Sequence, residues 1–162
     1  MIEPIPVDAS FWTKVICTLG CGLALGLERQ LRGKPSGMRT STLICMGSML
    51  FILVTQSPAV HEQEVYRVVG QVITGIGFFG GGIIFTNNGL VNGVTSAAVI
   101  WVLSGIGIAI GLGHLSLAIA ITLISLFILV GVEILENGFR ALRRGVHSPG
   151  NNTYTAEENE QG

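Results

Sequence analysis

The chain has 162 residues, 49% of them hydrophobic and 12% charged, with a formal net charge of -1, so it offers no basic field for nucleic-acid phosphates. Between Arg67 and Glu133 it runs for 65 residues without one Asp, Glu, Lys or Arg, which excludes a soluble domain of this size. In lipid that run supplies about three spanning helices, at ~1.5 Å of rise per residue across ~30 Å of hydrocarbon.

The expected architecture is all-α: a polytopic membrane bundle over residues 1–144, with five transmembrane helices at about 11–27, 40–57, 68–86, 94–112 and 115–135. The first segment holds Lys14 one turn from its start, where the ammonium can snorkel to the near interface. A cleaved secretory signal puts its positive charge before the apolar run; here the charge follows it, so the segment stays in the mature protein. Thr18-Leu19-Gly20-Cys21 resembles a lipoprotein cleavage box only superficially, because the basic leader is missing. Cys17, Cys21 and Cys45 fall in apolar stretches and read as packing residues rather than a disulfide or zinc framework.

The loop after the first segment carries Arg29, Arg32, Lys34 and Arg39, and the end after the fifth carries Arg140, Arg143 and Arg144. Cations are retained on the cytoplasmic side, which places the N-terminus outside and the C-terminus inside. Residues 145–162 read as a disordered cytoplasmic tail.

The third segment is dense in glycine. Gly75-Ile76-Gly77-Phe78-Phe79-Gly80 fits G-x-G-x-x-G, but that fingerprint needs a strand before it and a helix N-terminus after it, and the flanks here are apolar and span-length. Close helix packing is the plain reading, through Gly77-x-x-x-Gly81, Gly22-x-x-x-Gly26 and Gly107-x-x-x-Gly111. The sharper one is that Gly80, Gly81 and Gly82 loosen or break the helix, since each costs ~1 kcal/mol relative to Ala.

The assigned topology brings polar groups to the inner face: Glu28 and Arg29 end the first span, Arg39 and Thr40 begin the second, Asn87 and Asn88 close the third, Asn92 and Thr95 open the fourth, and Glu133 lies on the fifth. The outer face has no comparable collection. Helix caps account for the hydroxyls. Glu28 and Arg39 suit a desolvated bidentate pair, which reads equally as a functional site or as a structural lock. A faint repeat relates Ser36-Gly37-Met38-Arg39-Thr40-Ser41-Thr42-Leu43-Ile44 to Asn92-Gly93-Val94-Thr95-Ser96-Ala97-Ala98-Val99-Ile100 once one residue is skipped. The residues supply no nucleophile with a base, no metal cluster and no phosphate loop, so neither an enzyme nor a cofactor is expected. A partner-binding regulator and a homo-oligomeric channel or transporter for a cation or small solute both remain.

Four motifs in order, Gly22-Leu-Ala-Leu-Gly26-Leu-Glu28-Arg29-Gln30, Gly37-Met38-Arg39-Thr40, Gln71-x-x-x-Gly75 through Gly82, and Thr95-Ser96-Ala97-Ala98-x-x-Trp101, resemble those of the MgtC/SapB family of bacterial inner-membrane proteins. The resemblance implies a multi-pass protein of the bacterial inner membrane, tied to growth in low magnesium and, in pathogens, to virulence. It also implies regulation through membrane partners, including restraint of the rotary ATP synthase, rather than magnesium transport. By resemblance the site positions are Glu28, Arg29, Arg39, Gly75–Gly82, Thr95 and Trp101. Asn92 stands where the family often has a basic residue. Many members add a cytosolic ACT-like domain after the last span, whereas this sequence ends in a short tail, so a short form is expected. A homo-oligomer such as a dimer is expected for the regulator and for the channel alike.

The orientation is tested by cysteine labelling in intact cells. An impermeant reagent is expected to modify Glu3→Cys and not Thr155→Cys; the reverse pattern rejects the assigned sidedness.

Overall fold

The computed structural model describes residues 7–56, 60–87 and 90–138. Five helices follow one another: α1 (Ala9–Leu31), α2 (Met38–Leu53), α3 (Glu62–Gly81), α4 (Val94–Gly111) and α5 (Leu115–Gly138), with a two-stranded hairpin, β1 (Phe85–Asn87) and β2 (Leu90–Asn92), between α3 and α4. Three of them, Ala9–Leu31, Val94–Gly111 and the Leu115–Leu135 part of α5, are long and apolar enough to cross a membrane. α2 is apolar but has 16 residues, about 24 Å of helix, and α3 carries Glu62, Glu64 and Arg67 in its first two turns.

α1 begins at Ala9, not Phe11, because the Asp8 carboxylate caps it by accepting the Phe11 N–H at 2.9 Å. It runs unbroken through Cys21 to Leu31. α2 starts at Met38 and stops at Leu53, earlier than the expected 57; its end tightens as Thr55 and Gln56 N–H donate to the Ile52 and Leu53 carbonyls. α5 extends past 135 to Gly138.

The third segment departs from its 68–86 span: the helix ends at Gly81, at the Gly80–Gly82 run read as a candidate break, and Ile83 and Ile84 N–H donate to the Gly80 and Gly81 carbonyls in a tighter turn. Three consecutive glycines remove the propensity to continue, and Ile83-Ile84-Phe85-Thr86 favours extended backbone. β1 and β2 pair antiparallel with Phe85 opposite Asn92 and Asn87 opposite Leu90. Asn88-Gly89, the dipeptide most favoured in a two-residue hairpin, was the overlooked signal. Gly93 then turns the chain into α4 with φ of 88°, where a Cβ would run into the Ile83 carbonyl.

α2 lies between α1 and α4, and both neighbours present glycine to it. A Cβ on Gly22 would come within 2.7 Å of the Thr42 Cα, and one on Gly26 within 2.6 Å of the Met38 Cα. From the other side, a Cβ on Gly107 would meet the Cys45 carbonyl and approach the Ser48 Cβ to 2.8 Å, while one on Gly111 would approach the Ile52 Cβ to 2.7 Å. These approaches let backbones touch and gain the dispersion contacts that hold helices together in lipid, where hydrophobic burial gives no drive. Cys21, Leu25, Cys45, Met49, Leu103, Ile106 and Ile110 fill the seams. The Ser48 and Ser104 hydroxyls share a 2.8 Å hydrogen bond across α2 and α4, and Thr18 Oγ1 donates to the Lys14 carbonyl at 2.8 Å with Met49 Sδ 3.0 Å away. All three cysteines are free thiols, two of them buried in this packing.

α5 packs on α1 and α4, whereas α3 leans mainly on α4, with Gly80 against Ala97 as its one buried residue. Grooves of about 490 Å³ and 330 Å³ flank α3, one towards α2 and the other between α3, α4 and α5.

Gly26→Ala and Gly107→Ala are expected to destabilise the bundle by about 1–3 kcal/mol through overpacking. Gly20→Ala and Gly105→Ala, with open space at the Cβ position, should be neutral or stabilising by up to ~1 kcal/mol. Thermal melts of the four variants in detergent, followed by circular dichroism at 222 nm, separate the two classes.

Candidate functional site

One end of the bundle gathers the C-terminus of α1, the N-terminus of α2 and the second half of α5. Glu28 sits in the last turn of α1 with 8% of its side chain exposed, and Arg29 beside it with 4%. The Arg29 guanidinium donates through two nitrogens to both Glu28 oxygens, with Nη2 at 2.7 Å from Oε1. Arg32, one turn on, places Nε 2.6 Å from Glu28 Oε1 and reaches the Glu133 carboxylate of α5. Glu28, Arg29, Arg32 and Glu133 thus form a chain of alternating charge that closes the bundle at this end. Its formal sum is zero, which suits partial removal from water.

The expected Glu28–Arg39 pair is absent. Arg39 is exposed on the first turn of α2, beside a small surface hollow formed with Gln30, Gly37, Met38 and Thr40. Helical spacing explains the substitution: residues 28 and 32 are one turn apart on one face, whereas Arg39 lies across a turn held by Gly33 and by Ser36 at φ of 70°. The sequence signal for Arg32 is its i,i+4 relation to Glu28.

The broader inner cluster divides. Thr40 is half-buried, Thr95 and Asn87 are exposed, and Asn92 donates locally to the Leu90 carbonyl at 3.2 Å. Asn88, the basic residues 140, 143 and 144, and the tail lie outside the described residues. Ser36 and Ser41 are buried there; Ser41 Oγ donates to the Ser36 carbonyl at 2.9 Å.

The opposite end also has a polar knot, contrary to expectation. Lys14 Nζ donates to Gln56 Oε1 at 3.1 Å and to the Gly111 carbonyl at 3.0 Å, and Gln56 Nε2 donates to the same carbonyl at 2.7 Å. A cation and an amide therefore satisfy the C-terminal end of α4 and join α1, α2 and α4.

The glycines separate into two sets. Gly22, Gly26, Gly107 and Gly111 are filled from within the chain. At Gly75, Gly77 and Gly81 an added Cβ would meet nothing within 4 Å, and Gly80 makes only ordinary contact with Ala97. Gly80 apart, these α3 glycines thus do not pack α3 into its own bundle. Trp101, half-exposed on α4, lines the groove between α3 and α5 with Ile73, Ile76 and Leu117. Among the described residues no three His, Cys, Asp or Glu side chains converge to hold a metal ion.

Residues 15–138 match the model of the MgtC family. YhiD of Escherichia coli (strain K12), named as a candidate magnesium transporter, is 38% identical over 140 residues, covering 82% of this chain and 64% of its own. Protein SapB of Bacillus subtilis (strain 168) is 37% identical over 137 residues, 80% of this chain and 58% of its own. Protein MgtC of Brucella abortus (strain 2308) is 34% identical over 149 residues, 85% and 61%. The chain therefore spans somewhat under two thirds of the length of these relatives. No solved structure matches it.

Truncating Glu28 strands the almost wholly buried Arg29 guanidinium and leaves Arg32 with Glu133 alone. Glu28→Ala is expected to cost about 3–5 kcal/mol, read as lost folded yield and a lower melting temperature in detergent, whereas Arg39→Ala should stay within about 0.5 kcal/mol. Equal losses in the two variants would restore the Glu28–Arg39 pairing.

Proposed function

The chain belongs to the MgtC family, and on that premise we propose that it is a multi-pass regulatory protein of the bacterial inner membrane, serving adaptation to low magnesium or host-imposed stress. It acts by helix–helix docking against membrane partners such as the rotary ATP synthase. The observation that carries this reading is the division of the glycines. Those of α1 and α4 are consumed in internal packing, while Gly75, Gly77 and Gly81 stand open on α3, where small residues let a further helix approach closely.

The state of the bundle axis favours regulation over conduction. Leu25, Cys45, Leu103 and Ile110 fill it, the Ser48 and Ser104 hydroxyls satisfy each other, and the two ends are tied by the Glu28 chain and the Lys14 knot. A path for a hydrated cation would need polar groups turned to a watered lumen. Magnesium enters this reading as the condition under which the protein works, not as its cargo.

Inverted membrane vesicles carrying the protein are expected to show reduced ATP-driven proton pumping, and Gly77→Leu or Gly81→Leu should relieve the reduction while the protein remains inserted, because added Leu eases insertion. Unchanged pumping removes the ATP synthase as partner. Magnesium uptake into proteoliposomes containing only this protein would overturn the regulatory reading in favour of transport.

A further inference from the structure

We propose that the groove between α2 and α3 is a binding site for a membrane-soluble planar ring bearing oxygens, of the isoprenoid-quinone class, with Gln71 and Ser48 as its hydrogen-bonding contacts. The groove has a volume of about 490 Å³, which falls among small-molecule sites, and these are mostly apolar with a few placed polar groups. α2 lines it with Gly47, Ser48 and Phe51, and α3 with Gln71, Gly75 and Phe79. At Gly47 and Gly75 an added Cβ would meet nothing within 4 Å, so both walls are bare backbone there and leave a slot between them. Phe51 and Phe79, both half-exposed, supply aromatic rings that a planar guest meets edge-on or offset.

The two polar groups select this guest over an acyl chain. Gln71 stands about 6 Å beyond Arg67 along α3, inside the uncharged run, and its carboxamide makes no hydrogen bond among the described residues. Ser48 is buried and shares one hydrogen bond with Ser104; when Ser104 donates, the Ser48 proton is left for a guest oxygen. An acyl chain offers neither donor nor acceptor and leaves both groups short of partners in hydrocarbon. A quinone carbonyl accepts from the Gln71 amide and the Ser48 hydroxyl, and a quinol hydroxyl donates to the Gln71 carbonyl oxygen, so the same residues hold either redox form. A phospholipid ester also accepts, but it is tied to the headgroup level and brings no ring for the slot between the glycines. The site goes beyond the docking of partner helices and is separate from it, because Gly77 and Gly81 lie outside the groove.

The test labels the purified full-length chain in liposomes with a photoreactive azidoquinone, with decylubiquinone as competitor. Label is expected on the α2 and α3 peptides and is displaced by excess decylubiquinone. Gln71→Leu should raise the decylubiquinone concentration needed for half-displacement by about two- to tenfold, the loss of one neutral hydrogen bond. Gly47→Leu, which fills the slot, should abolish displaceable labelling at unchanged helical circular dichroism, and Gly77→Leu should leave it as in the wild type. Label spread over all five helices, or label that decylubiquinone does not displace, overturns the proposal and assigns the groove to bulk lipid. Displacement indifferent to both Gln71→Leu and Gly47→Leu overturns it as well, by placing the quinone elsewhere on the chain. The functional reading is judged separately: if no displaceable label forms yet Gly77→Leu still relieves the reduction in ATP-driven pumping, the quinone site alone is refuted.

Discussion

The architecture depends on how closely α1 and α4 approach α2. In a bilayer, lipid chains solvate leucine as well as a neighbouring helix does, so association must come from contact density. Gly22 and Gly26 on one flank, and Gly107 and Gly111 on the other, bring backbone or Cβ atoms of α2 to distances that any Cβ would occupy. With only 16 residues, α2 is held by the quality of those two contacts more than by their length. The interior then closes with Leu25, Cys45, Met49 and Leu103; the Ser48 and Ser104 hydroxyls pair across the α2/α4 seam, while Thr42 Oγ1 is buried without a hydrogen-bond partner among the described residues.

The ends of this clamp are polar and paired by different means. At one, Glu28 is shared between Arg29 and Arg32, and Arg32 carries the link on to Glu133 of α5. At the other, Lys14 and Gln56 converge on the carbonyl that α4 leaves open. Each knot joins helices distant in sequence. The cost of desolvating these groups is offset only while every partner is present, which makes the knots sensitive to truncation and accounts for their mixed charge.

α3 differs from the other helices. It touches the bundle mainly along α4, grooves run on both its sides, and it ends in a glycine stop followed by a hairpin whose residues are exposed. A rigid core with one loosely seated, glycine-bearing helix is a suitable arrangement for a protein that works through other membrane proteins. The core preserves the fold while one face remains free to be covered. That division gives physical content to the regulatory reading drawn from the MgtC family.

Much of this was legible in the residues. An uncharged run of 65 residues dictates helices in lipid because no other open backbone can satisfy itself there, and the ordered motifs around Glu28, Arg39, Gly75–Gly82 and Trp101 carry the family. Local signals were available too, in Asp8 as a cap, in the Glu28/Arg32 spacing and in Asn88-Gly89 as a hairpin turn. The tertiary structure alone decided which glycines are filled and which stand open, that Glu28 turns to Arg29 and Arg32 of its own helix rather than to Arg39, and that Lys14 reaches across to α4. Sequence sets the period and the chemistry of each helix, but the facing of one helix by another depends on rotation and depth, which are fixed only when all five pack at once.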